Sequence, residues 1–309
     1  MSAILLATHG GESADGAVRV ASLLARRLGE PLRVIAVMQP ATFMGDGYSE
    51  TYVPTPEDIE AIKAALLEAV DAQLGRCGVH DCDPEFHIGV TISEIAGVAQ
   101  ALGASLIVVG LGSHRIIDRA LGGETALHLA QVAATPVLAV PADATTIPHQ
   151  AMVALDFSPT SLLAARTVAN WMQPGDALHL VHVVAPEDFA PYVQAAAKGD
   201  DSAVARLTQT ADSLRAVTRA GVDSSQIAGD PARALLERAR EIDADLIALG
   251  SHGYGLWKRL LLGSVASKII RLSPQAVLVA PIGCLATLSG AEGAARLRPG
   301  AATTASRVA

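Results

Sequence analysis

Gly250, Gly253 and Gly263, three of the four glycines in the stretch GSHGYGLWKRLLLGS, space out a segment that leaves an apolar run at Leu246–Leu249 and enters a helix at Ser264. The chemistry this spacing suits is anion binding. Glycines after a strand let the backbone turn tightly and approach a ligand without Cβ interference. A Gly-Ser pair opening a helix offers unpaired N–H groups at the positive end of the helix dipole. The Ser264 hydroxyl either donates to a phosphate oxygen or caps the helix. The same glycines also suffice for a plain loop turn and helix start, so the spacing alone leaves both readings open.

Other chemistries are weaker. The chain has no Gly-x4-Gly-Lys-Ser/Thr phosphate loop, and Gly110-x-Gly112 lacks the third glycine of a dinucleotide fingerprint. It has no Gly-x-Ser-x-Gly elbow for a serine nucleophile. Cys77, His80, Cys82, Asp83 and His87 gather zinc-type donors in one segment. They lack the paired Cys-x2-Cys spacing, so a polar loop is the simpler reading and no metal site is assigned. His252 reads as a hydrogen-bonding or packing group rather than a base, since the spacing identifies no group to position water. His179 and His182 are read as sharing one strand face, buried or half-buried. Trp171 and Trp257 read as packing anchors, and Lys258 and Arg259 as screening a phosphate or facing solvent. No catalytic residue is assigned.

The elements that must position these residues alternate along the chain. Strands are expected at Ala3–Thr8, Arg33–Met38, Glu85–Val90, Ser105–Val109 and Val137–Val140, with helices near Ala14–Leu28, Pro56–Leu74, Glu94–Leu102 and Glu124–Ala133. Thr55-Pro56-Glu57-Asp58 is a helix start, with a capping Thr, Pro at the first position and an acid three residues on. The second half repeats the order. Its strands are expected at Met152–Leu155, Leu178–Val183, Ser225–Ala228, Leu246–Leu249 and Ala276–Ala280. Its helices are expected at Thr160–Trp171, Pro231–Ile242 and Ser264–Leu272, with another between Ala190 and Ala220. Such alternation implies parallel strands with right-handed crossovers, an open α/β sheet in each half.

The halves also match residue by residue. ADLIALGSHG (244–253) answers ASLIVVGLGS (104–113), and PQAVLVAP answers ATPVLAVP, so duplication explains the pattern better than convergent apolar strands. The resulting division is 1–141, a linker at 142–150, a second unit at 151–282 and a tail at 283–309 rich in Ala, Gly, Ser and Thr.

Composition narrows the class. Of 309 residues half are hydrophobic but only 3% aromatic, so Ala, Val, Leu and Ile must build the cores. The net charge is −8 with scattered Lys and Arg, against a sequence-independent grip on nucleic acid. No apolar run reaches the roughly 18 residues needed to span a bilayer, and the N-terminus has no basic leader before its short apolar stretch. Three cysteines cannot all pair within one chain, which fits a reducing, cytoplasmic setting.

With MVALDFSPTS (152–161) opening the second unit and the glycine loop running on into VASKIIRLSPQAVLVAP, the chain resembles the universal stress protein family, in its ATP-binding branch. The resemblance implies two five-stranded parallel sheets of order 3-2-1-4-5, Rossmann-like with helices on both faces, and an adenine nucleotide across the strand ends. It implies that Asp156 contacts the ribose, Val183 touches adenine and Gly229 starts the helix near the base. Gly250, Gly253, Gly263, Ser264 and Val265 would wrap the ribose and phosphates. ATP is the implied ligand, with Mg2+ as an optional companion of its phosphates.

The first half departs from that pattern: His9 replaces the aspartate, Ser113 the second glycine and Glu124 the serine. A carboxylate at the helix start would repel a phosphate. One competent site, in the second half, is expected. The implied role is a nucleotide-responsive stress regulator. A scaffold module with vestigial sites and a slow ATPase are the alternatives. The resemblance further implies that the two fifth strands pair, one chain imitating a dimer. A homodimer of whole chains and an unidentified protein partner stay open.

Overall fold

A computed structural model describes residues 2–39, 55–111, 116–184, 203–251 and 262–285. In the first half the order is β1 (Ile4–Ala7), α1 (Asp15–Leu28), β2 (Leu32–Met38), α2 (Pro56–Arg76), β3 (Glu85–Ile88), α3 (Thr91–Leu102), β4 (Leu106–Gly110), α4 (Ile116–Val132) and β5 (Val137–Val140). The second half follows with β6 (Gln150–Ala154), α5 (Pro159–Trp171), β7 (Ala177–Val184), α6 (Ala203–Arg215), β8 (Gly221–Ala228), α7 (Pro231–Glu241), β9 (Leu246–Gly250), α8 (Ser264–Leu272) and β10 (Ala276–Ala280).

Local chemistry sets several boundaries. Thr55 accepts the Asp58 N–H at 3.2 Å while Asp58 takes the Thr55 N–H at 2.8 Å, a reciprocal cap followed by Pro56. Ser158 caps α5 through the Ser161 N–H, and Asp230 caps α7 through the Arg233 N–H, each again followed by Pro. Gly29 and Gly103 end α1 and α3 in the left-handed conformation that a side chain disfavours.

All ten strands form one sheet of order β3-β2-β1-β4-β5-β10-β9-β6-β7-β8. Each half keeps the expected 3-2-1-4-5 order with parallel pairing, and the halves join where β5 meets β10 antiparallel, Leu138 opposite Leu278. Two five-stranded sheets are therefore continuous as one, because β5 and β10 are fully buried runs of Val, Leu and Ala whose hydrogen-bonding edges need a partner.

The core splits by face. α1, α2, α5 and α6 cover one side with residues such as Leu24, Leu74, Trp171 and Leu207; α3, α4, α7 and α8 cover the other with Ile95, Leu129, Leu235 and Ile269. Among the described residues, no helix is long and apolar enough to cross a membrane.

Two expectations fail here. α4 begins at Ile116, not at Glu124, so Glu124 is an exposed residue within the helix rather than a charge at its start. Gly122 and Gly123 look like a start signal, yet each costs a helix interior only about 1 kcal/mol and the flanking Ile, Leu and Ala carry the helix through them. His179 and His182 lie three apart on β7 and so point to opposite faces, His179 among the α7-side residues and His182 toward Phe157.

Candidate functional site

A cleft of about 300 Å³ opens at the carboxyl ends of β6 and β9. That volume is at the lower end of the range for small-ligand sites. β6 continues through α5 to β7 on one side, while β9 flanks it on the other; the chain thus diverges to either side of this point. Open parallel sheets present a crevice at such a switch point because the connecting helices leave it uncovered.

Its walls come from several elements. Leu155 and Asp156 follow β6; Val181 and Val183 face it from β7; Pro231 and Leu235 come from α7; Gly250 and Ser251 end β9; Gly263, Ser264, Val265 and Ala266 open α8. Of the sequence-derived candidates, the structure brings together Asp156, Val183, Gly250, Gly263, Ser264 and Val265. Gly229 is not on the cleft wall. It holds φ +145° one residue before the α7 cap, where its N–H bonds the Val184 carbonyl at 3.1 Å. Gly253 lies outside the described residues, as do His252, Trp257, Lys258, Arg259 and Ser113.

The polar groups have defined geometry. Asp156 Oδ1 accepts the Ser158 N–H at 2.9 Å, which fixes the carboxylate at the strand end. Among the described residues its Oδ2 has no hydrogen-bond partner, and Asp156 is the one ionisable group on the cleft wall. At α8, the Gly263 N–H donates to the Ser251 carbonyl at 2.8 Å, and Ser251 N–H is itself anchored to Ala280 at 3.0 Å. The Gly263 amide is thus committed to the loop, contrary to a reading that frees it for a ligand. The first intrahelical bond is Ser267 N–H to Gly263 O at 2.9 Å, and no side chain caps the helix. That leaves the amides of Ser264, Val265 and Ala266, at the positive end of the helix dipole, without acceptors among the described residues.

Gly250 has a packing role beside its place on the cleft wall. A Cβ built there would stand 2.7 Å from Ser161 N and 3.0 Å from the Thr160 carbonyl carbon. The glycine lets α5 pack down on β9. Gly110 repeats this in the first half, where a Cβ would meet Ala14 at 3.0 Å.

The loop after β6 carries one strained residue. Phe157 adopts φ +61°, sparsely populated for an aromatic, while its counterpart in the first half is Gly10, at +85°. The Phe157 ring lies 4.8 Å from the His182 ring, with the Arg206 guanidinium 4.4 Å over its face. His182 Nδ1 is 2.6 Å from Leu155 O; a carbonyl can only accept, so Nδ1 carries the proton.

The first half fills the corresponding corner differently. Its His9 ring folds back over Gly11, 2.7 Å from where a Cβ would be. Gln73, wholly buried, accepts the Thr8 hydroxyl at 2.7 Å and donates to Gly11 O at 2.7 Å and Asp15 Oδ1 at 3.0 Å. Arg76 adds a 3.2 Å contact to the same Asp15 oxygen. Among the described residues, no group of three or more His, Cys, Asp or Glu side chains could hold a metal ion, the Cys77–His87 segment included.

Sequence reasoning missed Ser161, Val181, Leu235, Ser251 and Ala266. Leu235 had a readable signal, lying four residues after Pro231 and so on the same face of α7. Ser161 and Ser251 had none, since tertiary packing alone brings them to the cleft.

The molecule is a duplicated, doubly wound α/β sheet with an apolar-walled cleft at one switch point. The family model for universal stress proteins matches residues 1–141 and again 149–281. The chain belongs to the universal stress protein family. It is 27% identical over 293 residues to a universal stress protein of Mycolicibacterium smegmatis, covering 89% of this chain and 96% of that one. A universal stress protein of Methanocaldococcus jannaschii is 30% identical over 137 residues, 41% of this chain and 79% of its own length. Among solved structures, a universal stress protein from Archaeoglobus fulgidus superposes with a TM-score of 0.63 at 21% identity, covering 90% and 96% of the two chains. A protein from Pseudomonas aeruginosa described as a putative universal stress protein gives 0.61 at 16% identity, covering 95% and 98%. These two likenesses concern the fold.

Proposed function

We propose that the second half binds an adenine nucleotide, ATP foremost, and that the chain acts as a nucleotide-responsive regulator rather than a turnover enzyme. The observation that carries this reading is the order of chemistry across the cleft: a hydrogen-bond acceptor, an apolar body, then a row of unpaired amides. Asp156 Oδ2 would take ribose hydroxyl protons, a task for an acceptor-only carboxylate. Val183, Val181 and Leu235 form apolar walls on which a purine ring would lie. The amides of Ser264, Val265 and Ala266, with the Ser264 hydroxyl, would receive a phosphate at the start of α8. No catalytic residue is assigned among the described lining residues, and binding is the role proposed. Mg2+ would accompany the phosphates from solution.

Mass spectrometry of small molecules released from freshly purified protein tests the proposal. Adenine nucleotide released from the wild type and much reduced in Asp156→Ala supports it. A clean wild-type release, together with no ATP uptake on reloading, would remove it.

A further inference from the structure

A second concavity of about 300 Å³ lies between α5 and α6, on the sheet face opposite α7 and α8. Its base is apolar: the Phe157 ring, Leu162 and Leu214. Its rim is cationic and hydrogen-bonding: Arg166, Arg206 and Gln209. In a chain of net charge −8, both ionisable lining groups are arginines, and no carboxylate lines the groove among the described residues. Arg166 has no ion pair among the described residues. The Arg206 guanidinium is held 4.4 Å over the Phe157 ring, so one cation is already oriented at the boundary between base and rim.

Apolar floor and guanidinium rim together select for one chemistry. A hydrophobic molecule without charge would leave the rim unused, and inorganic phosphate would leave the floor wet. An amphipathic organic anion, a carboxylate or sulfonate on an aromatic or branched apolar body, satisfies both: its body covers Phe157 and its anionic head takes charge-assisted bonds from Arg166 and Arg206. We propose that the α5–α6 groove is a second binding site, for a small amphipathic organic anion. The site is separate from the nucleotide cleft and stands or falls independently of it. The two linings share no residue and meet at one peptide bond: Phe157 lies in the groove, and its neighbour Asp156 lines the cleft.

The probe is 8-anilinonaphthalene-1-sulfonate, followed by its fluorescence at fixed protein concentration. Four proteins are titrated: wild type, Arg166→Glu/Arg206→Glu, Gln209→Trp to fill the groove without removing charge, and Val183→Trp to fill the cleft. Circular dichroism and melting curves select the variants that fold as wild type does. The expected result is saturable binding to the wild type, retained in Val183→Trp and weakened at least about tenfold by the charge reversal and by Gln209→Trp, the size of losing one charge-assisted contact. Binding abolished by Val183→Trp, equal in all four proteins, or absent from the wild type would overturn the assignment.

Discussion

Gly250→Ala separates two roles that a strand-end glycine can play. If Gly250 exists to admit a ligand, alanine should leave stability alone and weaken nucleotide binding. The geometry says otherwise. The added Cβ would sit 2.7 Å from Ser161 N and 3.0 Å from Thr160 C, both backbone atoms of α5, so no rotamer change relieves the clash and the helix must lift from β9. Overpacking of this kind costs about 1–3 kcal/mol. At about 2–4 °C per kcal/mol for a domain of this size, the melting temperature should fall by roughly 2–12 °C. The control is Gly110→Ala, whose Cβ would meet Ala14 at 3.0 Å and Ser13 O at 3.3 Å, a looser contact with the short 3-10 turn Glu12–Ala14. It should cost less. Thermal unfolding followed by far-ultraviolet circular dichroism, checked by calorimetry, reads both. A Gly250→Ala protein that melts with the wild type, or above Gly110→Ala, would refute the packing argument.

Three further outcomes follow from side-chain environments. Gln73→Leu removes the acceptor of the buried Thr8 hydroxyl and one donor each from the Gly11 carbonyl and Asp15, which keep the Ala14 N–H and Arg76; a loss of about 1–3 kcal/mol in urea unfolding is expected, and an unchanged midpoint would contradict the network's role. Burial, against a smaller opposing pull from Asp223, holds the His179 imidazole below its ordinary 6.5. The unfolded chain then binds the proton more readily, so stability present above about pH 6.5 is lost as pH falls below it. His179→Gln should flatten that part of the melting-temperature profile, and an identical acid slope would count against it. Burial pushes the Cys284 thiol up to about 12, so iodoacetamide at pH 8 should label Cys284 only after denaturant is added. Labelling of Cys284 in the folded protein at the rate of Cys77 or Cys82 would contradict this.

The sequence carried the fold through its apolar periodicity and turn chemistry. Buried runs such as Leu246–Leu249 read as parallel strands, Thr55-Pro56 marked a helix start, and the family resemblance implied the β5–β10 junction. Six candidate residues converge on one cleft because strand ends and helix starts of a doubly wound sheet meet at one edge. What stayed hidden depends on contacts between distant segments. Nothing local says that Thr160 and Ser161 press on Gly250, or that Ser251 takes the Gly263 amide. The start of α4 was obscured because Gly122-Gly123 imitate a boundary that the flanking helix formers override. The two β7 histidines needed only the strand period applied to a separation of three.

Equilibrium dialysis with labelled ATP against wild type and Gly263→Val puts the central claim to its most direct test. The account predicts a saturable single-site isotherm for the wild type. It predicts a loss of at least about tenfold in the variant, which puts a branched side chain on the N-cap residue directly before the row of α8 amides, while its melting temperature stays near that of the wild type. No saturable uptake by the wild type, or isotherms that coincide, would contradict it.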